Sequence, residues 1–209
     1  ETGRQVSGRR DIRCTVSIGG FVPKPHTPFQ WAAQLGAEAT DTRLLRLRET
    51  IRADRRYGSS IGFRYHDGQP GIVEGLLSRG DRRVGPVIEA VWRAGGRFDG
   101  WREHFSYERW MAAADQAFAD SPVSVDWYTT REREQSEVLP WDHIDSGLDR
   151  EWLWEDWQAA LSEDEVDDCR WSPCYDCGVC PQMGTSIEIG PTGRTLLPLT
   201  VAGPLPSRP

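Results

Sequence analysis

Residues 11–18 (DIRCTVSI) alternate polar and apolar side chains and are rich in β-branched residues, the pattern of a strand. Gly19-Gly20 follows, and then Pro23, Pro25 and Pro28 fall within six residues. Proline fixes φ and removes a backbone donor, so Phe21 to Phe29 reads as a stiff extended loop. From 37 to 56 the period changes to helical. Leu44, Leu45, Leu47 and Ile51 lie on one broad face, Thr40 or Asp41 is the cap, and Gly58 is the stop. Residues 59–66 (SSIGFRYH) read as a second strand, ended by the turn signal Asp67-Gly68.

The rest of the pattern is helical. A short helix over 70–78 starts near Pro70. Asp81 caps a longer one carrying Val84, Val87, Ile88, Val91 and Trp92, which Gly95-Gly96 closes. Tyr107 to Phe118 sets Trp110, Met111, Ala114 and Phe118 on one side. Residues 138–147 (VLPWDHIDSG) are loop-like, and Ser146 or Asp149 caps a helix running to about Leu161. An acidic run, Glu163 to Asp168, precedes a cysteine-rich stretch, and the tail holds two short apolar runs, TSIEIG and TLLPLTV. Two strands and about five helices make an α/β fragment that is mostly helical. There is too little sheet for a complete α/β domain.

Composition narrows the class. In 209 residues, 38% are apolar, but ten Trp, six Phe and five Tyr supply large buriable surfaces, which excludes a disordered or low-complexity chain. No apolar run approaches the ~18 residues of a membrane span. The net charge of −7 does not advertise a nucleic-acid coat, although a local basic face stays open. Lys24 is the single lysine beside 24 arginines. The chain starts at Glu1 with no initiator Met and no signal-peptide pattern, so the expectation is a fragment or processed chain of a cytoplasmic protein.

Cysteine use is the sharpest chemical signal. Four of five cysteines, Cys169, Cys174, Cys177 and Cys180, lie within twelve residues, and Cys14 stands apart. An odd count packed at one place is not a disulfide framework. The spacing C-x4-C-x2-C-x2-C allows four thiolates to converge on one soft metal centre. Structural zinc usually takes two separated Cys pairs. Here two C-x2-C units share their middle Cys, as in the ferredoxin run, which favours a four-iron iron–sulfur cluster over zinc. Pro173, Gly178 and Pro181 suit the tight turns that bring backbone N–H groups to sulfur. Free thiols or a redox pair are the remaining reading.

Other candidates are less specific. His26, in Pro25-His26-Thr27-Pro28, follows a strand on a stiff loop and is placed to line a site, or to pack the loop. Asp142, His143 and Asp145 put two carboxylates around one imidazole. They line a site, or clamp a loop onto the core, the reading favoured here because no nucleophile is adjacent. His66 and His104 read as structural. Trp152, Trp154 and Trp157 fall on different sides of their helix, which suits core packing better than a base-stacking platform. Arg79-Gly80-Asp81-Arg82-Arg83 is a weak phosphate-binding candidate, without a glycine-rich loop.

Five segments in this order, FVPKPHTPFQW (21–31), GDRRVGPVIEAVW (80–92), FDGWREHF (98–105), LPWDHIDSG (139–147) and DCRWSPCYDCGVC (168–180), resemble the radical SAM proteins that carry a B12-binding domain. The resemblance spans residues 12–200. It implies the C-terminal part of a longer enzyme. Residues 1–36 would end a radical SAM partial (β/α) barrel with its late strand and proline loop. A helical extension would follow over 37–161, a four-Cys cluster-binding motif over 162–185 and a tail over 186–209. It also implies a second, auxiliary cluster, upstream domains that handle S-adenosylmethionine and cobalamin, and a reductant such as ferredoxin or flavodoxin. The family's C-x3-C-x2-C motif, which holds the S-adenosylmethionine-cleaving cluster, is absent from this chain. The chain alone would therefore be catalytically incomplete, and the resemblance supplies no substrate. The alternatives are a zinc-stabilised helical module that binds RNA or protein, and a ferredoxin-like electron carrier.

Overall fold

A short helix, α1 (Thr2–Ser7), precedes strand β1 (Cys14–Ile18). The crossover helix α2 (Ala37–Ala53) then leads to β2 (Ile61–Tyr65). In the computed structural model, which describes residues 2–9, 11–56 and 58–187, the strands pair in parallel, from Cys14 opposite Ile61 to Ile18 opposite Tyr65. Parallel strands need a long crossover, and α2 supplies it. No residue of either strand is fully buried, so this two-stranded sheet is thinly covered.

The α2 face differs from the periodicity reading. Only Leu44 is buried, while Leu45 and Leu47 are each 42% exposed. The helix starts one turn before the expected cap, with Gly36 at the N-cap position. Asp41 therefore lies inside the helix, and its Oδ1 accepts a hydrogen bond from the Gly68 amide at 2.7 Å. The side chain that looked like a cap instead tethers the start of the next helix.

The core lies in α3 (Gly68–Arg79), α4 (Gly85–Arg93), α5 (Tyr107–Phe118) and the one-turn α6 (Val125–Tyr128). Leu76, Val87, Ala114 and Tyr128 are fully buried there. Asp81 does cap, but it caps a 3₁₀ turn, Arg82–Val84, that feeds α4; Pro86 near the start of α4 has no N–H to leave unpaired. Ser106 caps α5 by accepting from the Arg109 amide. Pro23 and Trp31 anchor the proline loop in the interior, and Pro28–Trp31 forms a 3₁₀ turn.

The chain divides into two units, 1–144 and 145–209. The second holds α7 (Arg150–Leu161), capped by Asp149 through the Trp152 amide, and the short α8 (Val179–Met183). Leu153 and Trp157 of α7 are buried, whereas Trp152 and Trp154 are half-buried, as packing rather than a stacking platform requires. The TSIEIG run has no regular structure over 185–187. Its remainder, and TLLPLTV, lie outside the described residues. Among the described residues no helix is long and apolar enough to cross a membrane.

Candidate functional site

All five cysteines are free thiols; Cys14 and Cys174 are exposed, and Cys169, Cys177 and Cys180 are half-buried. The loop between Cys174 and Cys180 is wound by two left-handed residues, Asp176 (φ 56°) and Gly178 (φ 90°). This winding turns the Asp176 amide back so that it donates to Cys174 Sγ at 3.3 Å. The Asp149 amide, at the start of α7, donates to the Cys177 carbonyl at 2.9 Å and fixes the loop to the helix. Upstream, Asp168 holds Arg170 through paired hydrogen bonds, which pull the Asp168 carboxyl down to about 2. Tyr175, between two of the cysteines, has a buried hydroxyl, and desolvation followed by nearby acidic groups raises its pKa.

Donor chemistry here fits a thiophilic centre: four thiols within twelve residues, one already receiving a backbone N–H. The side chains are not gathered at one point. Among the described residues no group of three or more His, Cys, Asp or Glu is arranged to hold a metal ion.

The other sequence candidates hold loops. His26 is half-buried with φ 55°, and its amide donates to Gln30 Oε1 at 3.2 Å. That oxygen also accepts from Trp141 Nε1 at 2.7 Å. Buried Gln30 thus joins the proline loop to the LPWDHIDSG segment. Asp142 Oδ2 accepts from the Leu139 amide and Asp145 Oδ1 from the Gly147 amide, both at 2.8 Å, so each carboxylate organises its own turn. His143 is exposed.

The RGDRR segment is likewise taken up by structure. Arg79 is fully buried and donates to the carbonyls of Thr129 (2.9 Å) and Gln30 (3.3 Å). Arg133, also buried, donates to the Tyr128 carbonyl at 3.1 Å and lies 5.1 Å from the Trp141 ring. Desolvation lowers the two guanidinium groups to about 9 and about 10, and Arg79 is lowered further by the Arg133 charge. Arg83 is bound by Asp81, which leaves little of this segment for phosphate.

The concave surface lies elsewhere. Because β1 and β2 are parallel, their carboxyl ends sit side by side, the position where open α/β sheets present ligand sites. His66 and Asp67, just after β2, line three adjoining cavities there. The smallest also takes in Gly19 and Gly20, just after β1. The largest, about 850 Å³, runs between α3, the 99–105 loop and α5. Arg102 reaches from that loop to Asp67 Oδ2 at 2.5 Å. The sequence reading gave His66 a structural role; only the pairing of two strands 47 residues apart brings it to a cavity.

No family model, no curated protein and no solved structure matches this chain.

Proposed function

We propose that this chain is the C-terminal part of a radical SAM iron–sulfur enzyme of the cytoplasm, with an auxiliary four-iron cluster held by Cys169, Cys174, Cys177 and Cys180. The observation that carries the proposal is the wound Cys174–Cys180 loop. It offers free thiols at C-x2-C-x2-C spacing and already turns a backbone N–H onto one sulfur. Such N–H bonds stabilise thiolate over thiol and set a cluster's potential. When bound, the cluster, with each iron taken by one cysteine, would supply electron transfer. The chain's own part is to hold the thiols on one loop, anchor that loop to α7 through Asp149, and present amides to sulfur.

The sheet supports the same reading. Parallel strands occur almost entirely in sheets covered on both faces. A thinly covered parallel pair with its crossover helix fits the last βαβ unit of a larger barrel, with the proline loop at the barrel mouth. The upstream radical SAM and B12-binding-like domains would bring S-adenosylmethionine and cobalamin, and ferredoxin or flavodoxin would bring electrons.

Anaerobic reconstitution tests the proposal. The expected result is a broad charge-transfer absorbance and about four irons per chain. Colourless protein with stoichiometric zinc would overturn it. That result would favour the second reading, a zinc-stabilised helical module for RNA or protein, which the same amide-to-sulfur turn also suits.

A further inference from the structure

Charge is spread unevenly along the chain. The whole chain carries −7, yet residues 1–64 hold twelve basic side chains against six acidic ones. The excess peaks in the second half of α2 and just past its end. Between 43 and 56, six arginines meet two carboxylates, Glu49 and Asp54. Some of these charges are used by the fold. Arg48 is half-buried and donates to Tyr65 Oη at 3.4 Å, and Asp54 Oδ1 accepts from the Arg56 amide at 2.8 Å. Arg43, Arg46, Arg52 and Arg55 are exposed, and among the described residues none of the four is in an ion pair. By contrast, Arg83, Arg93, Arg102, Arg131 and Arg170 are each held by a carboxylate.

Helical geometry sets these cations on the outer side of α2. Leu44 is the buried residue of that helix, and Arg46, two residues on, lies about 200° around the axis from it. Arg43, three residues before Arg46, is its neighbour on that surface. Arg52 lies about 14 Å along the axis from Arg43, and Arg55 continues the line past the helix end. A row of like charges attracts an extended anion. The surroundings say which one. Leu45 and Leu47, two residues apart, face nearly opposite ways, so α2 has no apolar stripe to enter a lipid surface. No aromatic residue lies in 37–56, where a protein partner would need an anchor. Guanidinium forks match phosphate oxygens, and a phosphate backbone repeats its charge along a line.

We propose that the outer surface of α2 binds the phosphate backbone of a nucleic acid through Arg43, Arg46, Arg52 and Arg55. Contacts of this kind position a strand and carry no base sequence. The surface lies wholly within the first unit and does not rest on the cluster assigned to the cysteines.

A fluorescein-labelled oligouridylate of about twenty nucleotides, longer than a single binding site, is the probe, and its polarisation is followed with the whole chain. With four phosphates neutralised, log Kd should rise with log salt at a slope of about 3, so that affinity falls about fiftyfold between about 50 and 200 mM salt. Arg43→Gln combined with Arg46→Gln changes only exposed side chains, and circular dichroism checks that the fold is kept. This double variant should weaken binding about tenfold or more and lower the slope by about 1.4. Arg93→Gln, on α4 and paired with Glu89, should bind as the parent does. Four results would each overturn the proposal. They are no binding at about 50 mM salt, a slope below about 1, parent-like binding by the double variant, and polyglutamate or phosphatidylglycerol vesicles binding as tightly as the oligouridylate at equal charge.

Discussion

Asp81 is the side chain on which removal of one group should be felt most widely. Its Oδ1 accepts from the Arg83 amide and from Tyr128 Oη, both at 2.9 Å, and its carboxylate takes Arg83 Nε at 3.0 Å. Asp81→Ala removes a cap worth about 1 kcal/mol. It also breaks a part-exposed ion pair worth at most about 1 kcal/mol. The fully buried residue Tyr128 then loses its hydroxyl's acceptor, at about 1–2 kcal/mol. The expected loss is about 3 kcal/mol, measured by urea unfolding followed by circular dichroism at neutral pH. Asp81→Asn keeps an acceptor for both the amide and the tyrosine and should lose only about 1 kcal/mol.

The pH dependence gives an independent check. The Arg83 hydrogen bonds, opposed by desolvation, hold the Asp81 carboxyl at about 2, below its ordinary 3.8. A lowered native pKa means that the unfolded chain takes up the proton first. The stabilisation is therefore complete above pH 3.8 and is lost as pH falls toward 2. At 1.36 kcal/mol per unit the shift sets an upper bound of about 2 kcal/mol, which solvent around the part-exposed Arg83 screens to about 1 kcal/mol. Asp81→Asn should lack it and show a flatter decline in that window. Unfolding of Asp81→Ala within about 0.5 kcal/mol of the parent, or a cost for Asp81→Asn equal to that of Asp81→Ala, would refute this role for Asp81.

Cys174→Ser and Cys177→Ser should each abolish stoichiometric metal in reconstituted protein while Cys14→Ser leaves it unchanged; metal retained in either of the first two variants would misassign the ligands. Gly75→Ala should destabilise by about 1–3 kcal/mol in the same unfolding assay, because its methyl would meet Gln34 Oε1 at 2.0 Å while Gln34 is tied to the Gly71 carbonyl. Gln30→Ala should cost about 2–3 kcal/mol by removing the shared acceptor of the His26 amide and the Trp141 indole; a loss under about 0.5 kcal/mol would show that this link does not hold the two segments together.

Features that depend on near neighbours could be read along the chain. Tyr107 to Phe118 was legible as a helix because its apolar spacing is local, and so was the helix that Asp149 caps. Both strands were legible from alternation. The four-Cys motif was legible because its donors lie within twelve residues. The one-turn helices α6 and α8 were not, since so short a segment has no period to read.

The remaining features depend on packing, because burial and pairing join residues far apart in the chain. Arg79 looked like a surface cation beside Gly80-Asp81, yet packing turns it inward onto the carbonyls of Gln30 and Thr129. Asp41 looked like a cap, yet it holds the Gly68 amide 27 residues on. His66 and Asp99 carried no local signal. They come to line one cavity only once parallel pairing brings two strand ends together and the 99–105 loop packs beside α3.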